Sequence, residues 1–399
     1  MSILTQALIF LGAALVAVPL SERLGLGAVL GYLIAGAVLG PTVTGVFQHP
    51  DAILEVAEFG VVLLLFVIGL ELNPGRLWTM RTTVFGLGAL QALLTAGIFL
   101  PLLLFVADLP WPIALTLGFM LAASSTPLAL QTLAERKELR QGHGRLAFSI
   151  VLFQDLLAIP LFTAIPLMGG AADALSPHDM ALNALLSLSV IAGFLVGGRF
   201  VLRQVLRLTA RINQQEALTA TALFTVTASA WVMMQAGLSP ALGAFGAGVL
   251  LADSEYRHEL QARIEPFKGL LLSLFFIAIG MSLKLDLLIE TPGLILASLV
   301  VLVGVKAGVL YGLGRAWDLP VRQARNLSLI LSQGGEFAFA LLILAFQEAL
   351  LDRATLELAI LVIGLSMATT PLLMALTDWR DRRNTEPVAR APDYDAPDD

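Results

Sequence analysis

The sequence predicts an all-α polytopic membrane protein of about thirteen transmembrane helices, built as an inverted repeat with two interrupted, crossing helices. Three observations lead there. Apolar residues make up 57% of the chain and charged residues only 14%, with a mean hydropathy of +0.85, far from the balance of a soluble domain. Apolar runs long enough to cross a hydrocarbon core recur along nearly the whole length. The cations fall in alternate connecting segments, as short loops on one side of a membrane require.

Taken in order, the runs bounded by Gly, Pro and charge cover 3–20, 25–45, 56–72, 82–107, 111–134, 145–168, 181–202, 216–236, 240–252, 268–283, 293–315, 325–347 and 355–377. The first lacks the basic leader of a cleavable signal and is read as a span. Residues 1–383 form the transmembrane unit, in which spans 1–6 and 8–13 are inverted halves joined by span 7. Residues 384–399 are polar and rich in Pro and Asp, and are expected to be a disordered cytoplasmic tail. All but three of the 24 Lys and Arg residues fall in the tail or in loops on one side. Lys284 and Arg353 take the other side and Lys306 takes neither. This places the N-terminus outside and the C-terminus in the cytoplasm of a bacterial inner membrane.

There is no cysteine, and the four histidines are scattered one per connecting segment, so thiolate and histidine metal sites are not expected. The chemistry lies elsewhere. Lys306 sits inside span 11, where a basic residue costs about 2.5–3.5 kcal/mol on insertion scales and so needs a partner or a wet cavity. Nine residues before Arg315, it lies roughly 14 Å deep. Asp155 in PheGlnAspLeu, ten residues after Arg145, reaches roughly the same depth. A static buried ion pair that fixes packing is one reading. A site where the carboxylate exchanges a proton or an ammonium for a cation is the other.

Two further segments reach that depth. Span 5 carries Ser124, Ser125 and Thr126 ahead of Pro127, and span 12 carries Ser332 and Gln333 ahead of Gly334, Gly335 and Glu336. Pro removes a backbone donor and paired Gly weakens a helix, so both spans are expected to break there. Broken helices at membrane depth are tolerated where they line a cavity, and paired breaks at equivalent positions of two halves point to a transporter binding site. Ser125, Thr126, Ser332 and Gln333 are therefore candidate ion or proton ligands beside Asp155 and Lys306, with Glu336 a second titratable candidate. Glu71 reads as an interfacial carboxylate near Arg76 or Arg81. Gly304, Gly308 and Gly312 form a small-residue face on the Lys306 helix, expected to pack closely.

The blocks GlyTyrLeuIleAlaGly (31–36), LeuPheValIleGlyLeuGluLeu (65–72), PheGlnAspLeu (153–156), SerGluTyrArgHis (254–258), IleGluProPheLysGlyLeuLeu (264–271) and SerGlnGlyGlyGluPheAla (332–338) resemble the Kef potassium-efflux branch of the monovalent cation:proton antiporters. The resemblance covers residues 1–377. It implies a sodium/proton antiporter-like fold, a homodimer and an elevator-like cycle. Asp155 would be the cation and proton carboxylate, preceded by Gln154, and Lys306 the basic residue that pairs with it when no cation is bound. Kef-type proteins continue into a nucleotide-binding domain that senses glutathione and its adducts. No strand followed by a GlyxGlyxxGly turn occurs here, and Gln261 and Arg263 stand in the loop between spans 9 and 10 where glutathione-gated members are expected to be acidic.

The function so read is potassium efflux coupled to proton entry, with Asp155 holding K+ or Na+ in turn. It is not an enzyme, and it needs no cofactor beyond the transported ions. A cytoplasmic regulatory domain is not expected among these residues, nor is a nucleic-acid partner. A sodium/proton antiporter is the nearest alternative. A ligand-gated potassium channel would need a carbonyl-lined filter, and no ThrValGlyTyrGly-like loop is present. A transport-inactive membrane sensor is the third.

Overall fold

The structure is a computed structural model describing residues 3–23, 27–41, 43–47, 51–71, 79–168, 189–190, 192–194, 196–198, 200–202, 204–205, 215–236 and 238–384. Among these residues every regular element is helical: α1 (Ile3–Arg23), α2 (Gly27–Leu39), α3 (Asp51–Glu71), a π-helical turn (Thr82–Gly88) leading into α4 (Ala89–Phe105), α5 (Trp111–Ala122), α6 (Thr126–Glu135), α7 (Gly142–Met168), α8 (Gln215–Gln235), α9 (Pro240–Leu251), α10 (Arg257–Met281), α11 (Leu287–Glu290), α12 (Pro292–Ala316), α13 (Val321–Ile330), α14 (Glu336–Gln347) and α15 (Arg353–Asn384). Among the described residues eight helical stretches are long and apolar enough to cross a membrane. Much of span 7 and the expected tail beyond 384 lie outside the described residues.

The predicted fifth and twelfth spans are each two half-helices, α5/α6 and α13/α14. Pro127 does not kink a continuous helix. It occupies the first turn of α6, where no amide partner is needed, and Ser125 caps that helix by accepting from Leu128 N. The break is therefore a stop and a restart. One boundary needs correction: α10 begins at Arg257, so Gln261 and Arg263 are helical rather than in a loop.

The helices sort into two bodies. In the first, α1–α3 pack with α8–α10; in the second, α4–α7 pack with α12–α15. Contacts between the bodies are sparse by comparison. The first body is fastened by glycines that let main chains touch. A Cβ on Gly36 would lie 2.8 Å from the Gly280 Cα across α2 and α10, and one on Gly69 would lie 2.9 Å from the Gly248 Cα across α3 and α9. Gly36 and Gly248, like Gly69 and Gly280, are separated by nearly the same stretch of chain, so these two crossings are one contact made twice by an inverted repeat. The second body has its own core, from Leu87 and Ala129 to Leu327 and Leu331. An apolar cluster that includes Leu33, Val61, Phe162, Phe275, Phe339 and Ile363 lies where the bodies meet.

The Gly304, Gly308 and Gly312 face does not pack closely: a Cβ at each would meet open space. Helix α12 turns that face away from the chain and buries Lys306 and Leu310 instead.

The ends of the bundle carry the charges. Lys284 (2.9 Å) and Arg353 (2.9 Å) converge on Glu357 at one end. At the other, Arg136 makes a two-pronged pair with Asp378 (2.6 and 2.9 Å) and Arg325 another with Asp381 (3.0 and 2.6 Å). The Asp378 carboxylate raises the Arg136 guanidinium further above its ordinary value, so it stays charged. Asp352 caps α15 by accepting from Thr355 N at 3.0 Å, which holds its carboxyl below the usual range.

Gly248→Ala would drive a Cβ into the Phe66 carbonyl and is expected to destabilise the protein by about 1–3 kcal/mol. Gly304→Ala meets nothing and should leave stability unchanged. Thermal unfolding of the purified variants in detergent checks both, and equal melting temperatures would contradict the assigned packing.

Candidate functional site

The two breaks cross back to back. Helix α5 ends at Ala122, and residues 123–125 run extended before α6 begins at Thr126. Helix α13 ends at Ile330, and α14 begins at Glu336 after an extended Gly335. Extended backbone leaves amides and carbonyls without helical partners, and burial demands that each find one. The crossing supplies them. Ser124 Oγ donates to Leu331 O at 2.7 Å and Ser125 N donates to Gln333 Oε1 at 2.9 Å. Gly335 lies so close to Ser124 that a Cβ there would stand 3.0 Å from the Ser124 main chain. This close crossing is why span 12 carries glycine at that point.

Each break is also held from behind by its own half. Ser124 N donates to Gln154 Oε1 (2.8 Å) on α7, and Gly334 N donates to Ser366 Oγ (2.8 Å) on α15. Gln154 Nε2 donates in turn to Gln91 Oε1 (2.7 Å) and Ala122 O (3.1 Å). Ser332 turns back onto its own helix, donating to Leu329 O at 3.0 Å.

Charges sort by the helix ends they meet. The fully buried Lys306 ammonium donates to Ala123 O at 2.5 Å and to Gln333 O at 2.6 Å, the carbonyls just beyond α5 and α13. Ala123 is the C-cap of α5, at the negative end of its dipole, and Gln333 lies in the break that follows α13. The acids take the positive ends. Asp155, 8% exposed, accepts from Thr126 Oγ1 on both carboxylate oxygens at 3.1 Å, and Thr126 is the first residue of α6. Glu336, 6% exposed, is the first residue of α14. Its carboxyl lies against the Ser125 hydroxyl and the Thr126 main chain, near Asp155. Glu336 Oε2 is buried with no hydrogen-bond partner among the described residues.

Among the described residues no ion pair joins Lys306 to Asp155, contrary to the pairing the resemblance implies; the ammonium is satisfied by carbonyls instead. Asp155, Thr126, Ser125 and Glu336 come together at the crossing. Gln154, Gln333, Ser124 and Lys306 hold its backbone, and Pro127, Gly334 and Gly335 shape the breaks. Glu71 stands at the end of α3, where it accepts from Gln261 Nε2 at 2.6 Å. Arg76 lies outside the described residues. Sequence reasoning missed Gln91, whose one signal is an amide inside the apolar run 82–107.

Residues 9–375 match the family described as "Sodium/hydrogen exchanger, transmembrane". The fold is similar to that of the sodium proton antiporter MjNhaP1 from Methanocaldococcus jannaschii at pH 8, with a TM-score of 0.67, 17% identity, and coverage of 94% of this chain and 96% of that one. A second structure of MjNhaP1, from an electron-microscopy map, gives a TM-score of 0.63 and 16% identity over 97% of this chain and 100% of that one.

Lys306→Met leaves Ala123 O and Gln333 O without their shared donor, and a loss of about 2 kcal/mol in stability is expected, since buried carbonyls without partners are costly. Lys306→Gln, which keeps an N–H donor, should recover part of it. Chemical unfolding in detergent measures both, and a Met variant as stable as the parent would contradict the role given to the ammonium.

Proposed function

The chain belongs to the sodium/hydrogen exchanger transmembrane family of cation:proton antiporters, and we propose that it carries potassium out of a bacterial cell in exchange for protons, by alternating access centred on Asp155. The observation that carries this reading is the pairing of two buried acids, Asp155 and Glu336, with the starts of two half-helices, where a dehydrated cation or a proton can each neutralise them. Thr126 Oγ1 and the Asp155 carboxylate are oxygen donors suited to a hard monovalent cation. In the proton-loaded state Asp155 holds the hydrogen, and in the cation-loaded state it and Thr126 hold the ion. Glu336, with an unpartnered oxygen, serves as the second acid. Potassium is favoured over sodium by the Kef-like blocks and by Gln154 before Asp155.

An elevator movement of the second body against the first is part of the reading. It is supported by their sparse contacts and by the apolar surface between them, over which sliding breaks few directional bonds. At the end away from Glu71, Gln347 Nε2 on α14 donates to Glu58 Oε1 on α3 at 3.0 Å, a bond that ties the bodies where cavities open between them. We place this end outside, with Lys284 and Arg353, and the Arg136 and Arg325 pairs in the cytoplasm, in line with the distribution of cations. A second copy completes the proposed dimer, and α1 offers it an exposed apolar face through Leu4, Leu8, Leu11 and Leu15.

Proteoliposomes given an external potassium or sodium pulse should release protons as the cation enters, faster with potassium. Asp155→Asn should abolish that flux, and normal exchange by this variant would refute the assignment. Gln347→Ala should open the outer end more often. The chain has no cysteine, so Ile343→Cys, which lines both outer cavities, reports opening by its labelling with an impermeant thiol reagent. A lost bond of about 1 kcal/mol predicts roughly fivefold faster labelling, and an unchanged rate would argue against the tie.

A further inference from the structure

We propose that Gln91 is a positioning residue for the ion site, acting through Gln154 to set how Asp155, Thr126 and the Ala123 carbonyl stand. The inference rests on the reading of Asp155 as carrier carboxylate. Gln91 is fully buried in α4, touches none of the site acids, and uses both ends of its amide. Its Oε1 accepts from Gln154 Nε2 at 2.7 Å, while its Nε2 donates to Ala122 O and to Thr95 Oγ1, each at 3.2 Å. A primary amide is directional, since one end only donates and the other only accepts. With Gln91 Oε1 facing it, Gln154 must present Nε2 there and Oε1 to Ser124 N, the bond that holds the break. Residues 122–126 are thus gripped at Ala122 and Ser124, on either side of the Ala123 carbonyl that receives Lys306 and just before the Thr126 hydroxyl that meets Asp155.

The local fold is arranged to bring the two amides together. The π-helical turn Thr82–Gly88 directly precedes α4; such turns shift the register of the helix they lead into and gather at functional sites. At its end Gly88 lies against Phe153, the neighbour of Gln154, so closely that a Cβ would collide with the Phe153 side chain. Phe85 packs edge-on to the same ring, and Ser149 Oγ donates to Thr83 Oγ1 at 3.1 Å one turn earlier on α7. The repeat supplies a parallel. The helix standing to the second half as α4 stands to the first is α12, which fastens the crossing from its own side through Lys306. One helix of each half therefore clamps the crossing, α12 with an ammonium and α4 with an amide.

The test compares the parent with Gln91→Leu, Gln91→Glu, Gly88→Ala and Asp155→Asn in proteoliposomes, with potassium and sodium chloride as the ions. Gln91→Leu is expected to raise the apparent KM for the cation about tenfold with kcat changed less than about threefold, because the ligands are mispositioned rather than removed. Gln91→Glu keeps the acceptor for Gln154 and should fall between Leu and parent. Gly88→Ala, by displacing Phe153, should shift KM in the same direction as Leu. A purely structural role would lower kcat through the active fraction and leave KM at the parent value in all three, and that result overturns the proposal. If Gln91→Leu does not fold, Gln91→Glu and Gly88→Ala decide by the same criterion. Exchange by Asp155→Asn would instead defeat the carrier reading, whatever the Gln91 variants do.

Discussion

The crossing of two interrupted helices is the constraint on which the molecule depends. Four half-helix ends meet inside the bundle, and each brings backbone groups and a partial charge that cannot be left alone. The solution is a sorting by sign. Lys306 binds the carbonyls just beyond α5 and α13, while Asp155 and Glu336 stand at the starts of α6 and α14. The ammonium is committed to holding the wall together, which leaves the acids without a fixed counter-charge. A buried acid in that position is neutral when protonated and neutralised when it holds a cation. On the proposed reading, the exchange of one for the other is set up by the geometry of the crossing.

A site of this kind works only if it can face two sides in turn. In the first body the helices touch through glycines at main-chain distance. The second holds the crossing, stitched by Ser124, Ser125, Gln154, Gln333 and Ser366. The boundary between them is mostly apolar. In the proposed elevator movement, one body passing the other would leave the hydrogen bonds of the site intact and break few at the boundary.

Much of this was legible in the sequence, and the reasons it was or was not are physical. The depths of Asp155 and Lys306 come from helical rise, a local property, so counting from Arg145 and Arg315 placed both at one level, beside the two breaks that Pro and paired Gly marked. Helical rise gives height but not direction, and two side chains at one depth can face different neighbours. Hence the pairing of Lys306 with Asp155, which the resemblance implied, gave way to carbonyls that no sequence pattern advertises. Pro127 marked the break correctly, yet as a helix start rather than a kink, because the three residues before it leave the helix first. Gly304, Gly308 and Gly312 matched a packing motif that depends on which face turns inward, and that face turns out. Gln91 carried too little signal alone, since an amide in a membrane helix declares a partner without naming it.

The central claim is that a cation and a proton compete for the same buried acids. Proton release on cation binding tests it most directly, measured with the purified protein in a lightly buffered detergent solution as potassium chloride is added. The account predicts that protons are released in step with saturation, and that Asp155→Asn releases none. Saturable cation binding to the parent with no proton released would contradict it.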